Sequence, residues 1–143
     1  WYTILQRREG YRNAFADFNV IEVAKFDQNK IEELMLDASI IRNRLKIEAA
    51  VHNARLFIQI QEEHGSFDNY IWSFTANQII DNRWTSLSQV PATSELSDRV
   101  AKDLKTRGFK FVGSTTIYAH LQAIGVINDH LVDCWVANTT KNE

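Results

Sequence analysis

The stretch that decides the fold is "KTRGFKFVGSTTIYAHLQAIGVINDHLVDC", which runs from Lys105 to Cys134. Two glycines, Gly108 and Gly113, enclose a short turn, and residues with helical apolar spacing stand on both sides of it. This pattern predicts a helix-hairpin-helix at about residues 96–124. Its second helix begins with exposed backbone N–H groups, where the helix dipole favours an anionic phosphate. Glycine suits such a hairpin because it allows close approach of a ligand or a backbone with positive φ.

A cluster of cations surrounds this hairpin. It consists of Lys102, Lys105, Arg107 and Lys110, with Asp103 as the only acid among them. The cluster predicts a local DNA-binding surface, whose candidate residues are Lys105, Arg107, Gly108, Lys110, Phe111, Val112, Gly113, Ser114 and Thr115. The alternative is that Gly108 simply ends a helix and the cations form a solvated face. Spacing alone does not decide between the two.

The bulk composition predicts one globular domain over residues 1–143. The chain has 143 residues, 45% of them hydrophobic, and a net charge of −2. Because this balance argues against nucleic-acid binding through bulk electrostatics, any DNA contact must be local. The single cysteine excludes an internal disulfide, and no leader or long apolar run is present. We therefore expect a cytoplasmic monomer with no membrane partner.

Helical periodicity extends through most of the chain, and no segment shows sustained period-2 alternation. The predicted class is therefore all-α. Residues 75–91 are expected to form a surface loop. Helices are predicted over residues 1–15, 20–24, 31–36, 41–63, 67–74, from Thr93 or Ser94 to Gly108, over 115–124, and in a last turn or two capped by Asn128.

His130 and Cys134 are the candidate metal ligands. On that last predicted helix they would be one turn apart on the same face, within reach of a single Zn²⁺. Only half of a four-ligand site is present. On chemistry alone, a buried thiol beside a hydrogen-bonded histidine is the favoured alternative.

Three segments together resemble the bacterial DNA-3-methyladenine glycosylase I family, within the helix-hairpin-helix glycosylases. They are "RGFKFVGSTTIYAHLQAIGVINDH" at 107–130, "IIRNRLKIEAAVHNAR" at 40–55 and "YIWSF" at 70–74. The resemblance covers most of the chain. It implies a helical glycosylase bundle that flips 3-methyladenine out of double-stranded alkylated DNA and hydrolyses its N-glycosidic bond, the first step of base excision repair.

The resemblance also implies roles for individual residues. A tryptophan matching Trp1 stacks on the flipped base, although spacing alone would make Trp1 a core residue of its helix. His130 and Cys134 match two ligands of a structural zinc, whose Cys and His partners near the family's N-terminus have no counterpart here. The family's base-recognising glutamate precedes the position of Trp1, so the catalytic residue stays unknown. We therefore expect the family's N-terminal segment to be absent, and the activity of the shortened chain is itself a prediction.

One departure concerns the catalytic aspartate of the wider superfamily. Asn128 occupies its place, with Asp129 beside it, and an asparagine does not act as a general base. No lysine nearby suggests a Schiff-base step, so we predict a monofunctional hydrolase. Two other hypotheses stay open at this point: a non-catalytic helix-hairpin-helix module that only grips phosphates, and a metal-stabilised helical domain without a DNA role.

Overall fold

Caps and apolar stripes divide the chain into short helices. The computed structural model describes residues 2–136 and confirms the all-α class. Within them lie α1 Tyr2–Gln6, α2 Arg8–Ala14, α3 Val20–Ala24, α4 Gln28–Leu36, α5 Arg44–His64, α6 Phe67–Ser73, α7 Glu95–Thr106 and α8 Ser114–Ala123. Short 3₁₀ turns cover Ala16–Phe18 and Leu87–Gln89, and two-residue strands β1 Ile80–Asp81 and β2 Ile127–Asn128 complete the order. The chain groups into two units, the first comprising Trp1–Ser66 with Arg107–Phe111 and the second Phe67–Thr106 with Val112–Glu143.

Helix α5 is the centre of the first unit. It begins at Arg44 and not at residue 41 as predicted, because the Asn43 side chain accepts from the Lys46 N–H at 3.2 Å and caps the helix. It ends at Gly65, where φ is +79°. Helix α3 packs against it, and Arg55 donates to the Ala24 carbonyl at 2.9 Å. The core beneath includes Phe15, Val23, Leu34, Ile40, Ile47, Val51 and Ala54.

The continuous helix predicted over residues 1–15 is wrong. The chain breaks between α1 and α2 at Arg7, whose ψ of 7° departs from helical geometry. Gly10 lies within α2, where a Cβ would come within 2.4 Å of the Ser39 carbonyl oxygen. The glycine is therefore needed for this close approach and is not merely a weak spot in the helix.

Helices α7 and α8 form the core of the second unit. Val100 and Leu121 are fully buried between their neighbours. Ser97 is also fully buried, and its hydroxyl lies 2.7 Å from that of Ser114 at the start of α8. The Ser97 hydroxyl also donates to the Ser94 carbonyl at 2.9 Å, so this buried polar group is fully hydrogen-bonded. Among residues 2–136, no helix has both the length and the apolar composition needed to cross a bilayer.

The final helical turn predicted after Asn128 is also wrong. Asn128 belongs to β2, which pairs in parallel with β1, so that Ile80 faces Ile127 and Asp81 faces Asn128. Its carbonyl accepts from the Asn82 N–H at 3.1 Å, and its side chain accepts from the His130 N–H at 3.2 Å. Strand pairing thus uses the residue that was expected to cap a helix, and residues 129–134 are not helical.

Candidate functional site

The first-unit part of the hairpin, residues 107–111, is attached to α5. Gly108 has φ +98°, which an L side chain rarely adopts, and its carbonyl lies 3.0 Å from His52 Nε2. The Asn53 side chain donates to the Lys110 carbonyl and accepts from the Lys110 N–H, each at 2.9 Å. The turn therefore has a defined backbone conformation, held by side chains that the hairpin motif itself does not contain.

The predicted DNA-binding side chains of this part differ in their surroundings. Arg107 Nη1 lies 2.6 Å from Glu63 Oε2, and its side chain is only 27% exposed. Its charge is therefore already partly compensated. Lys110 is exposed, and Phe111 is 59% exposed with φ +60°, an unusual backbone for an aromatic residue.

The remaining predicted DNA-binding residues belong to the second unit. Lys105 is exposed at the end of α7, and Thr115 is exposed in the first turn of α8. Gly113 caps α8 with φ −70°, and a Cβ there would meet nothing within 4 Å. The positive φ thus favours glycine at position 108, whereas neither the backbone nor the packing requires glycine at position 113. Val112 and Ser114 are half-buried.

The carboxylate of Asp129 accepts four side-chain hydrogen bonds. Oδ1 accepts from Asn82 Nδ2 and Trp84 Nε1, each at 2.7 Å. Oδ2 accepts from the Tyr118 hydroxyl at 2.5 Å and from Gln122 Nε2 at 2.6 Å. We refer to these five side chains as the Asp129 cluster.

Hydrogen bonding controls the protonation of the Asp129 cluster. Burial alone would raise the pKa of Asp129, but the four donated hydrogen bonds outweigh it and hold the pKa below its usual range. Burial, together with the hydrogen bond to Asp129, raises the pKa of Tyr118, so its hydroxyl remains a donor. A carboxylate whose lone pairs are engaged in this way is poorly placed to activate water.

Sequence reasoning found only part of this cluster. Tyr118, Gln122 and Asp129 lie in the segment 107–130, which carries part of the family resemblance. Asn82 and Trp84 were missed, since they lie in the segment predicted to be a surface loop. Pairing of β1 with β2 brings that segment to Asp129, and no local sequence pattern signals this pairing.

His130 and Cys134 are neighbours, although not on a helix as predicted. His130 Nδ1 and Cys134 Sγ lie 3.7 Å apart. Two ligands of a tetrahedral zinc would be about 3.5 Å apart, given usual Zn–N and Zn–S lengths. Within residues 2–136, no third His, Cys, Asp or Glu joins them. The described residues therefore fit half of a structural zinc site. Trp1, the predicted base-stacking residue, lies outside the described residues.

An apolar cleft of about 440 Å³ opens in the first unit. Among the described residues that line it, Lys46 is the only charged one and none is acidic. The rest of the lining is Tyr11, Phe15, Phe18, Val20, Val23, Ile41, Ile47, Ala50, Ala54 and Phe57.

Comparison with known proteins finds similar sequences over most of the chain. The methyladenine glycosylase family model matches residues 1–137. The chain is 42% identical to DNA-3-methyladenine glycosylase 1 of Escherichia coli K12 and 40% identical to DNA-3-methyladenine glycosylase of Haemophilus influenzae Rd; both alignments cover 94% of this chain and 72% of the relative.

Solved structures of the same kind are also similar. The crystal structure of 3-methyladenine DNA glycosylase I superposes with a TM-score of 0.88 at 40% identity, covering 94% of this chain and 74% of that one. A tyrosine-to-phenylalanine variant of such an enzyme, in complex with 3-methyladenine, gives 0.90 at 35% identity, covering 94% and 73%. This chain therefore belongs to the methyladenine glycosylase family.

Proposed function

We propose that this chain is a DNA repair hydrolase that cleaves the N-glycosidic bond of 3-methyladenine in alkylated DNA. The observation that carries the proposal is its likeness, over 94% of the chain, to a glycosylase structure that contains 3-methyladenine. The family match over residues 1–137 supports the same reaction. The reaction begins base excision repair, and the enzyme is a monofunctional glycosylase.

The chemistry requires little acid–base assistance. A 3-methylated adenine in DNA is cationic, so its bond to the sugar is already weakened. Water adds to C1′ as the C1′–N9 bond breaks, the bonding electron pair leaves with the base, and one proton passes from water to solvent. The departing 3-methyladenine is neutral. The main task is to extract the base and stabilise an oxocarbenium-like sugar, which agrees with a saturated Asp129 and with asparagine at position 128.

Trp1 is the proposed base-stacking residue. A cationic base over an indole face gains about 0.5–2 kcal/mol, which would favour 3-methyladenine over neutral adenine. Replacing Trp1 by Ala should therefore lower excision much more than DNA binding. Equal losses of both would contradict a stacking role.

The hairpin is the proposed DNA contact, through Lys105, Arg107, Lys110 and the backbone around Gly113. Lys110→Glu should weaken binding to a duplex of any sequence and reduce the salt dependence of binding by about one ion. The matched control is Lys25→Glu, which makes the same change of charge outside the hairpin. Lys25 lies at the end of α3 and pairs with Glu22 at 2.7 Å. Equal losses in both variants would indicate a general charge effect without a hairpin site.

The direct test is chromatographic detection of 3-methyladenine released from methylated duplex DNA, with and without added zinc. We expect release by this 143-residue chain. Duplex binding without release would refute the enzyme and favour the second candidate, a non-catalytic hairpin module that grips phosphates. The local basicity of the hairpin in an otherwise acidic chain supports that candidate, but the family match favours catalysis.

We also propose that His130 and Cys134 supply two ligands of a structural zinc. Their separation of 3.7 Å supports this assignment. Metal analysis of the purified chain and of Cys134→Ser tests it, and equal zinc contents would contradict it.

A double-stranded substrate, a monomeric state and a cytoplasmic location complete the proposal. Competition between single-stranded and duplex DNA, light scattering and cell fractionation are the respective tests.

A further inference from the structure

We infer that Asn53 is a positioning residue, which holds the hairpin in the conformation that contacts DNA. The inference rests on the proposed DNA-binding role of the hairpin. It adds to that role a residue on α5, outside the hairpin. The relevant contacts all lie within the first unit.

Asn53 makes two complementary hydrogen bonds to the backbone of one residue of the turn. The Asn53 amide donates to the carbonyl and accepts from the N–H of one residue, Lys110. This reciprocal pair satisfies both backbone polar groups of Lys110, as a neighbouring strand would. A carboxylate lacks the donor and a lysine lacks the acceptor, whereas an amide side chain offers a separate atom for each bond.

A second residue of α5 also holds the turn. His52, the residue before Asn53, places Nε2 3.0 Å from the Gly108 carbonyl. Adjacent residues of α5 therefore hold positions 108 and 110 of the turn. Leu56, one helical turn after His52, lies on the same side of the turn, 3.6 Å from where a Gly108 Cβ would be.

The backbone of this turn is unusual and needs contacts from outside the turn to hold it. Gly108 has φ +98° and Phe111 has φ +60°. Unusual backbone conformations of this kind persist only where surrounding contacts determine them, particularly at a large side chain such as Phe111. Without the two bonds to Asn53, the turn would also populate other conformations.

A lower population of the binding conformation weakens DNA binding in proportion. Apparent affinity falls by the fraction of molecules that are competent to bind. Loss of two hydrogen bonds should therefore weaken duplex binding by about tenfold. Free 3-methyladenine has no phosphate for the hairpin to contact, so we expect its binding not to change.

The test uses Asn53→Ala in the full chain, with Gln59→Ala as the matched control, because Gln59 is an exposed amide on the same helix. Three properties are measured: affinity for an undamaged duplex, affinity for free 3-methyladenine, and amide hydrogen exchange at Lys110. We expect Asn53→Ala to lose about tenfold in duplex affinity, to keep base affinity, and to exchange the Lys110 amide faster. His52→Ala should give a smaller effect of the same kind, since it removes one bond.

Unchanged Lys110 exchange or unchanged duplex affinity in Asn53→Ala would overturn the inference. Equal loss of duplex and base affinity would also overturn it, because it would indicate a general destabilisation. Failure of the proposed function has a different signature. If the unmodified chain binds duplex but releases no 3-methyladenine, the glycosylase proposal fails and the role of Asn53 stands. If the unmodified chain does not bind duplex, both fail.

Discussion

Replacing Asp129 by Asn tests whether the carboxylate is a structural hub or a catalytic base. The carboxylate accepts four hydrogen bonds at 2.5–2.7 Å. An asparagine keeps one acceptor oxygen and places an NH₂ group opposite two donors, either Tyr118 and Gln122 or Asn82 and Trp84. Hydrogen bonds to a charged group contribute about 1.5–3 kcal/mol each, and rotation of the Tyr118 hydroxyl or a flip of Gln122 recovers part of this. We expect a net loss of about 2–4 kcal/mol in the free energy of unfolding.

The assay is urea denaturation followed by tryptophan fluorescence, with thermal melting as a second measurement. At about 3 °C per kcal/mol for a chain of this size, the melting temperature should fall by roughly 6–12 °C. Asp133→Asn is the matched control, since Asp133 is an exposed carboxylate in the following turn, and it should leave the melting temperature unchanged.

Activity decides between the two roles. At a temperature where both proteins are folded, Asp129→Asn should retain most of the excision rate. A protein of unchanged stability whose excision rate falls by orders of magnitude would refute the reasoning and make Asp129 the general base. Unchanged stability alone would show that the hydrogen bonds contribute little.

Two further perturbations test the first unit. Gly10→Ala should destabilise the protein, because the clash of the new Cβ with the Ser39 carbonyl costs about 1–3 kcal/mol. This cost outweighs a helix-propensity gain of about 1 kcal/mol. A higher melting temperature of the variant would contradict the close approach. The hydrogen bond from Arg44, more than that from Gln28, lowers the pKa of Glu32 from 4.5 to about 2. The stabilising contribution of the ionised Glu32 is therefore complete above pH 4.5 and is lost as the pH falls through about 2. Acid titration should bring the free energies of unfolding of the wild type and Arg44→Gln together. A difference between them that stays constant with pH would argue against the pair.

The sequence predicted helices α7 and α8 well, since each helix carries its own signals. Leu96, Val100 and Leu104 recur at helical spacing, and all three are buried in α7. Gly108 at the end of the predicted helix has the positive φ that glycine allows. The family resemblance was also visible in the sequence, because its motifs are short and contiguous.

By itself, then, the amino-acid sequence determined the helical class, the helices α7 and α8, and the family. Only the tertiary structure decided which residues meet across long separations. Asn82 and Trp84 reach Asp129 because two residues of β1 pair with β2, and such a brief pairing has no periodicity in the sequence. Asn53 reaches Lys110 across 57 positions for the same reason: a hydrogen bond between distant residues depends on how helices pack, and helical spacing specifies only which face of each helix is apolar.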